Sequence, residues 1–514
     1  MLLFEPSMIS KIDSYAINTL GIPAHTLMHR AAEAVAEAVR SFTPSGAKVR
    51  IFAGKGNNGG DGYAAALLLM NDYDVKVYDV FGAGQRSDEG RYYLASYKFC
   101  DGAYETLTLN ADTLADIRDS ACIVDAVFGT GFVGEQPKQT VELANIFASL
   151  NDVITIAIDV PLGVNASDGT VDKSASYHAS ATVCLGFVKP GLISYPAKEY
   201  VGKLIYCDIG LDSASSLSVF NSNSYYIDYD LASSLIPSRR QNSSKGTFGK
   251  LLMITGSGDF PGAGHLSLEA ALRSGVGYVT YLGEKCMCDS LVQKLPEAIF
   301  KPCDISNITP NSLENIVEIA VKSSATLIGS GRPVDTGLRI LTERLLAEEG
   351  SPIVLDAGAI SVLTSENNLT VPSVKNARRR VILTPHPLEL ARLLSLPLES
   401  VLEHRLSVAR DFARENDCIL VLKGAATVVT DGTTTYINSS GSSALAKAGS
   451  GDVLAGFLAG VIASGVDPLS ASALSVYFHG LAGDKLAAEL SELGVIPSDL
   501  PREIAKQIAK AIRE

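Results

Sequence analysis

Tryptophan is absent from this 514-residue chain, and its absence excludes no class of function. Charge is sparse at 19% and acidic in balance, with a formal net charge of −13. Basic residues form no run longer than Arg378, Arg379 and Arg380, so the basic face of a non-specific nucleic-acid binder is missing. An anionic ligand must then be held locally, by main-chain amides and a few placed cations. The 8 cysteines are scattered. Only Cys286 and Cys288 lie close together, no histidine completes a zinc spacing, and reduced thiols are expected. The N-terminus MLLFEPSMISKID has neither the positive flank nor the apolar centre of a secretion signal. The longest apolar stretch, near Val453 to Val466, is too short for a bilayer and carries Gly456, Gly460 and Gly465. The expectation is a cytoplasmic, self-associating protein whose partners are small molecules, with no nucleic acid and no membrane.

What the chain has in quantity is apolar sequence, 46%, cut into short β-branched runs that alternate with Gly-rich turns and helical patterns. In the first half the predicted strands are Val49–Ala53, Val75–Val80, Cys122–Phe128, Val153–Asp159, Ala181–Phe187 and Lys203–Asp208. In the second they are Lys250–Thr255, Gly277–Leu282, Ala325–Gly329, Ile353–Asp356, Val381–Thr384 and Cys418–Leu422. Apolar strands alternating with helices predict α/β domains with parallel sheets covered on both faces. Residues 211–245 are rich in Ser and Asn without a clear period, and read as a junction containing at most an edge segment. Two doubly wound domains, 1–215 and 225–514, are expected.

Three polar loops of the first half follow strand ends. In GKGNNGGDG, residues 54–62, glycines permit a sharp turn ahead of a helix predicted from Ala64, whose free amides suit an anion. A plain turn is the alternative, and neither the dinucleotide nor the P-loop fingerprint is met. DAVFGTGFVGE spans Asp125 to Glu135, and DVPLGV spans Asp159 to Val164. In a parallel sheet, loops at the carboxyl ends of strands line one crevice. Asp159 is the candidate acid or base, against a turn or cap role, and Lys189 in GFVKPG a candidate cation, against an exposed loop lysine.

The set GNNGGDG, DAVFGTG, DVP-x-GV and GFVKPG, preceded by LMHRAAEAV, resembles the NAD(P)H-hydrate epimerase family, whose fold is a Rossmann-like three-layer sandwich. The resemblance implies substrate contacts at Asn57, Asn58, Gly59, Gly60, Asp61, Gly129, Thr130, Gly131, Phe132, Val133, Gly134, Glu135 and Asp159. It implies potassium (K+) at Asn58 and Asp125. The family's D-x-P-S-G places a hydroxyl where this chain has Leu162, which offers no side-chain oxygen. The implied chemistry is loss and return of water at C6 of a hydrated nicotinamide, with Asp159 as base or acid and Lys189 assisting.

The second half holds AKAGSGDVLAG, Ala446 to Gly456. Gly449 and Gly451 flank Ser450, and Asp452 opens an apolar helix. Free amides beside a carboxylate suit phosphoryl transfer, the carboxylate taking the proton of the attacking hydroxyl. A simple helix cap is the alternative. Lys423 in KGAAT could meet a phosphate or be a surface lysine, and His386 in TPHPLELARL could donate to substrate or cap a helix. His479 reads as a satisfied core histidine. In KLLMITGSGDFPGAGHL, glycines precede a helix predicted from Leu266.

Gly-x-Gly-Asp before such a helix resembles the ribokinase-like superfamily. The whole set, with HGLAGDKLAAEL and PSDLPREI, is similar to the ADP/ATP-dependent NAD(P)H-hydrate dehydratases. The resemblance implies hydrate contacts at Ala263, Gly331, His386, Pro387, Leu388, Glu389, Leu390, Ala391, Arg392 and Asp452. It implies nucleotide contacts at Lys423, Gly424, Ala425, Ala426, Thr427, Ser442, Ser443, Ala444, Leu445, Ala446, Lys447, Ala448, Gly449, Ser450 and Gly451. Leu388 stands where the family has glycine in HPGE, and Gly358 where it has aspartate in D-A-D. A magnesium ion (Mg2+) bridging nucleotide phosphates is expected. So is ADP, rather than ATP, as donor, because the fused layout looks bacterial. The competing readings are a ribokinase-type small-molecule kinase, which leaves GNNGGDG unexplained, and a nucleotide-sensing protein with a degenerate first domain, for which Leu162 speaks.

Overall fold

A computed structural model describes residues 1–514 except 83, 133, 212–218, 365–371 and 514. The chain divides into two compact units, Leu2–Ser224 and Tyr225–Glu514, the latter joined by Met1.

In the first unit seven strands form one sheet: β1 (Lys48–Ala53), β2 (Asp74–Asp79), β3 (Ala103–Thr106), β4 (Cys122–Ala126), β5 (Ile154–Ile158), β6 (Ala181–Leu185) and β7 (Lys203–Cys207). Their order is β3-β2-β1-β4-β5-β6-β7, and every pairing is parallel. All but the outermost strands are buried along most of their length, which is why they read as unbroken apolar runs. Strand β3 escapes that signature because it is a largely exposed edge, AYET. The order reverses between β1 and β4, so a crevice opens at their carboxyl ends.

The second unit continues with β8 (Ser224–Ile227), β9 (Lys250–Ile254), β10 (Tyr278–Gly283), β11 (Ile299–Pro302), β12 (Ala325–Ile328), β13 (Ile353–Leu355), β14 (Val381–Leu383), β15 (Ile419–Leu422), β16 (Val428–Thr430) and β17 (Thr435–Asn438). They are ordered β8-β17-β16-β15-β14-β13-β12-β9-β10-β11. Strands β9 to β15 pair in parallel, and β16 and β17 add an antiparallel extension. The reversal lies between β9 and β12, which puts the loops after both strands at the mouth of a second crevice. Strand β8 is the edge segment expected inside the junction.

Two Gly-rich stretches read as loops are helical. The first helix spans Asn57–Leu69 and so includes NNGGDG, and the second spans Pro261–Leu272 and includes PGAG. Glycine normally disfavours a helix interior by about 1 kcal/mol. Here it is required by contact: a Cβ on Gly59 would lie 2.1 Å from the Gly54 carbonyl oxygen, and one on Gly264 2.8 Å from the Tyr281 hydroxyl. These glycines let the helix starts press against the strand ends that carry the sites.

The apolar helix Ser450–Ala463 is buried throughout from Val453. It lies against Pro261–Leu272 with backbone nearly touching backbone. A Cβ on Gly456 would stand 2.0 Å from the Ser267 carbonyl oxygen.

Candidate functional sites

In the first unit a cavity of 760 Å³ opens at the switch point. It is lined by Asn57, Asn58 and Asp61 from the helix after β1, by Gly129 to Phe132 after β4, by Asp159 after β5 and by Lys189 after β6. The three strand-end loops expected to line one crevice do so, and Lys189 joins them from a fourth segment. Gly59 and Gly60 are buried in the helix and set its position, Gly134 and Glu135 lie exposed beyond the cavity lining, and Val133 lies outside the described residues.

Asp159 has φ +67°, a conformation that L side chains rarely adopt, and is 9% exposed. Its carboxylate accepts from the Lys189 ammonium and, at 3.4 Å each, from the Thr130 and Leu185 amides. Lys189 is 1% exposed, so the exposed-lysine alternative is ruled out, and it also donates to the Leu185 carbonyl at 2.8 Å. Burial disfavours its charge, but Asp159 and Cys184 together overcome burial and hold its pKa above the ordinary lysine value. Burial drives the Asp61 pKa well above the carboxylate range, reinforced by Asp159 and Asp13. Phe128 and Phe132 stack with centroids 3.9 Å apart on the cavity wall, a surface suited to a flat ring.

The residues implied for potassium are arranged unevenly. The Asn58 amide nitrogen donates to the Phe128 carbonyl at 2.8 Å, which leaves its Oδ1 to accept or ligate. Asp125 is wholly buried, and its carboxylate accepts from the Val127 and Leu162 amides and the Tyr177 hydroxyl. Burial pushes its pKa up to about 6, against those three donors. The Leu162 side chain is 1% exposed and belongs to the apolar cluster of Val127, Phe147 and Tyr177.

In the second unit the site centres on a buried polar knot. Asp356, 1% exposed at the end of β13, accepts from the Ser330 hydroxyl at 2.7 Å, the Thr384 hydroxyl at 2.7 Å and the Lys423 ammonium at 3.1 Å. Lys423 is held above the ordinary lysine value because Asp356 and Glu389 overcome its desolvation. It is no surface lysine: a Cβ on Gly451 would stand 3.4 Å from its Nζ. Asp452 lies in the first turn of Ser450–Ala463, behind Gly449 at φ +102°. Burial and then the charge of Asp356 push its pKa up to about 7, with Lys423 opposing. A carboxyl poised there can take a proton near neutral pH.

Around this centre, Gly331 at φ +63° abuts Ala263, whose Cβ an added methyl would meet at 2.4 Å. His386 caps the helix Pro387–Leu394, its Nδ1 accepting from the Glu389 amide at 3.3 Å while the Glu389 carboxylate accepts from the His386 amide at 2.8 Å. Leu388 and Arg392 are exposed, Pro387 is half-buried, and Leu390 and Ala391 are buried in the core. Gly424 and Ala425 are exposed, Ala426 has φ +49°, and Thr427 bonds back to the Gly424 carbonyl at 2.8 Å. Among Ser442, Ser443, Ala444, Leu445, Ala446, Lys447 and Ala448, the Ser442 hydroxyl is buried with no partner among the described residues, Ala444 is core, and Ala446 and Ala448 are exposed. Ser443 bonds Glu492, Leu445 packs on the core, and Lys447 is tied to the carbonyls of Leu493 and Val495. His479 is 7% exposed, bonds the Ser450 carbonyl at 3.0 Å and has its pKa pushed down to about 4 by burial, which makes it a support beneath the loop.

Two residues of these sites were missed. Asp356 hides as the last residue of a predicted strand, in DAG. Asp13 lines the first cavity from the helix Pro6–Asn18. Its signal is an acid four residues after Ile9 and next to Ile12 on a helix whose buried residues are Ile9, Ile12 and Ala16.

Comparison with known proteins assigns both units. The family model described as YjeF-related protein N-terminus matches residues 24–191, and the one described as NAD(P)H-hydrate dehydratase matches residues 251–506. A Moorella thermoacetica protein named bifunctional NAD(P)H-hydrate repair enzyme Nnr is 31% identical over 97% of this chain and 95% of its own. One of the same name from Escherichia coli is 29% identical over 94% of this chain and 90% of its own. Among solved structures, the ADP/ATP-dependent NAD(P)H-hydrate dehydratase of Bacillus subtilis, co-crystallised with ATP and Mg2+, covers 57% of this chain and all of its own at 28% identity and TM-score 0.50. The chain therefore belongs to the family of bifunctional NAD(P)H-hydrate repair enzymes, in which an epimerase unit and a dehydratase unit share one polypeptide.

Proposed function

We propose that Leu2–Ser224 interconverts the R and S forms of hydrated NADH and NADPH at the Asp159–Lys189 pair. Tyr225–Glu514 then dehydrates the S form at Asp452 with ADP as phosphoryl donor. The observation that carries the second half is Asp452, a carboxyl with its pKa raised to about 7 at a helix start lined by free amides. Asp452 takes the proton of the C6 hydroxyl as its oxygen attacks the terminal phosphorus. The bond from that phosphorus to the donor's bridging oxygen breaks, releasing AMP. The C6–O bond then breaks as the ring nitrogen pushes, inorganic phosphate leaves, and loss of a C5 proton restores the dihydropyridine. Lys423, anchored by Asp356, faces the phosphates, and Asp356 is a positioning residue because all its bonds are to protein donors.

Metal use follows the donor sets. Among the described residues no cluster of three or more His, Cys, Asp or Glu side chains is assembled. That fits a magnesium ion held chiefly by nucleotide phosphate oxygens and water, which would neutralise phosphate charge. A potassium ion would rest on Asn58 Oδ1, on the acceptor position that Asp125 Oδ1 keeps beside the Val127 amide, and on main-chain carbonyls, since Leu162 contributes no oxygen. No helix among the described residues is long and apolar enough to cross a membrane. A homo-oligomer in the cytoplasm is the proposed setting.

The test supplies the S hydrate, magnesium and either ADP or ATP to purified protein. The reading expects one phosphate and one AMP per reduced nicotinamide recovered with ADP, and loss of that recovery in Asp452→Ala. Retained turnover in Asp452→Ala removes Asp452 from the mechanism. Turnover with ATP alone reassigns the donor.

A further inference from the structure

The proposed epimerase reading leaves one chemical need unmet. Expulsion of the C6 oxygen as water requires an acid, and return of water to the other ring face requires a base. Asp159 is tied to the buried Lys189 ammonium, a contact that places its carboxylate as an acceptor. Asp61 is buried, with its pKa driven upward by that burial, and stands in the helix wall where it can hydrogen-bond bound substrate. Asp13 is different. It is half-buried on the cavity wall, and its carboxyl has no hydrogen-bond partner among the described residues. Its helix is fixed by burial of Ile9, Ile12 and Ala16, so the side chain is delivered to the cavity by packing.

We infer that Asp13 is a second catalytic carboxyl of this cleft, giving its proton to the departing C6 oxygen while Asp159 takes one from the water that returns. The inference rests on the proposed epimerase reading. In one direction the Asp13 O–H bond breaks and the proton joins the C6 hydroxyl. The C6–O bond breaks, water leaves, and the nitrogen lone pair forms the C=N bond. Water then adds to the opposite face, its oxygen bonds C6 and its proton passes to Asp159. The proton gained by Asp159 is returned to Asp13 through water in the cavity, and the reverse epimerisation runs the same steps backwards. No oxidant or second substrate is needed.

The charged groups sharing the cavity with Asp13 are Lys55, Asp61, Glu89, Asp159 and Lys189. Burial, opposed by Lys189 and reinforced by Asp159, pushes the Asp13 pKa up to about 6. A group there can give and regain a proton near neutrality.

The experiment follows exchange between separated R and S hydrates of NADH on the full-length protein without nucleotide. Asp13→Asn is expected to slow exchange by about 10²–10⁴-fold. Affinity for the hydrate should hold within about threefold, and Asp13→Glu should restore part of the rate. Wild-type exchange should decline above about pH 6 in both directions alike, because the equilibrium between the epimers involves no proton, and Asp13→Asn should lose that decline. Dehydration of the S hydrate should be unchanged in both variants, which also reports that they are folded. Exchange within threefold of wild type in Asp13→Asn, with Asp159→Asn inactive, overturns the role of Asp13 and leaves the epimerase reading standing. Absence of exchange in wild type, or full exchange in Asp159→Asn, overturns that reading and the inference with it.

Discussion

At Asp452, burial and the charge of Asp356 raise a carboxyl to about pH 7 while Lys423 opposes them. A base must be ionised to act, so the dehydration rate should rise with pH. With a pKa of about 7 the ionised fraction grows about tenfold from pH 6 to pH 8, and the rate at low substrate should follow it. Lys423→Met removes the cation that restrains this pKa and strands Asp356, whose side chain is only 2% exposed. Its profile should move to higher pH, and chemical denaturation should report a loss of about 3–5 kcal/mol, the cost of an uncompensated buried charge. Asp452 and Lys423 were legible as sequence because glycines and a strand end mark them. Asp356 and Asp13 were not, since one acid closes an apolar strand and the other sits on a short amphipathic helix. Their roles arise from neighbours distant in sequence.

Among the elements, the buried parallel strands announced themselves, and the exposed edge AYET and the antiparallel pair β16 and β17 did not, being short or lacking a flanking helix pattern. The glycine stretches misled for a physical reason. Glycine signals a turn by its freedom, but at Gly59, Gly62 and Gly264 it serves close approach within helices. Gly59→Ala tests this. A Cβ there would meet the Gly54 carbonyl oxygen at 2.1 Å, whereas one on Gly56 meets nothing within 4 Å. The first change should cost about 1–3 kcal/mol in urea unfolding and slow exchange of hydrate epimers, and the second should do neither. Equal effects of the two would mean that space is not what glycine provides.

At the scale of the molecule, two doubly wound sheets each reverse their strand order once; the first opens a cleft carrying Asp159 with Lys189, and the second brings Asp356 and Lys423 to its strand ends beside Asp452. One polypeptide can therefore supply both an exchange between epimers and the irreversible removal of one of them. Only their combination converts a mixture completely. The direct measurement is the recovery of reduced-nicotinamide absorbance from a mixture of R and S hydrates given magnesium and ADP. The wild-type chain should recover all of it in one sweep, and Asp159→Asn should stall once the S form is consumed, continuing only at the uncatalysed rate of exchange. Complete and rapid recovery by Asp159→Asn, or a stall in wild type, would contradict the account.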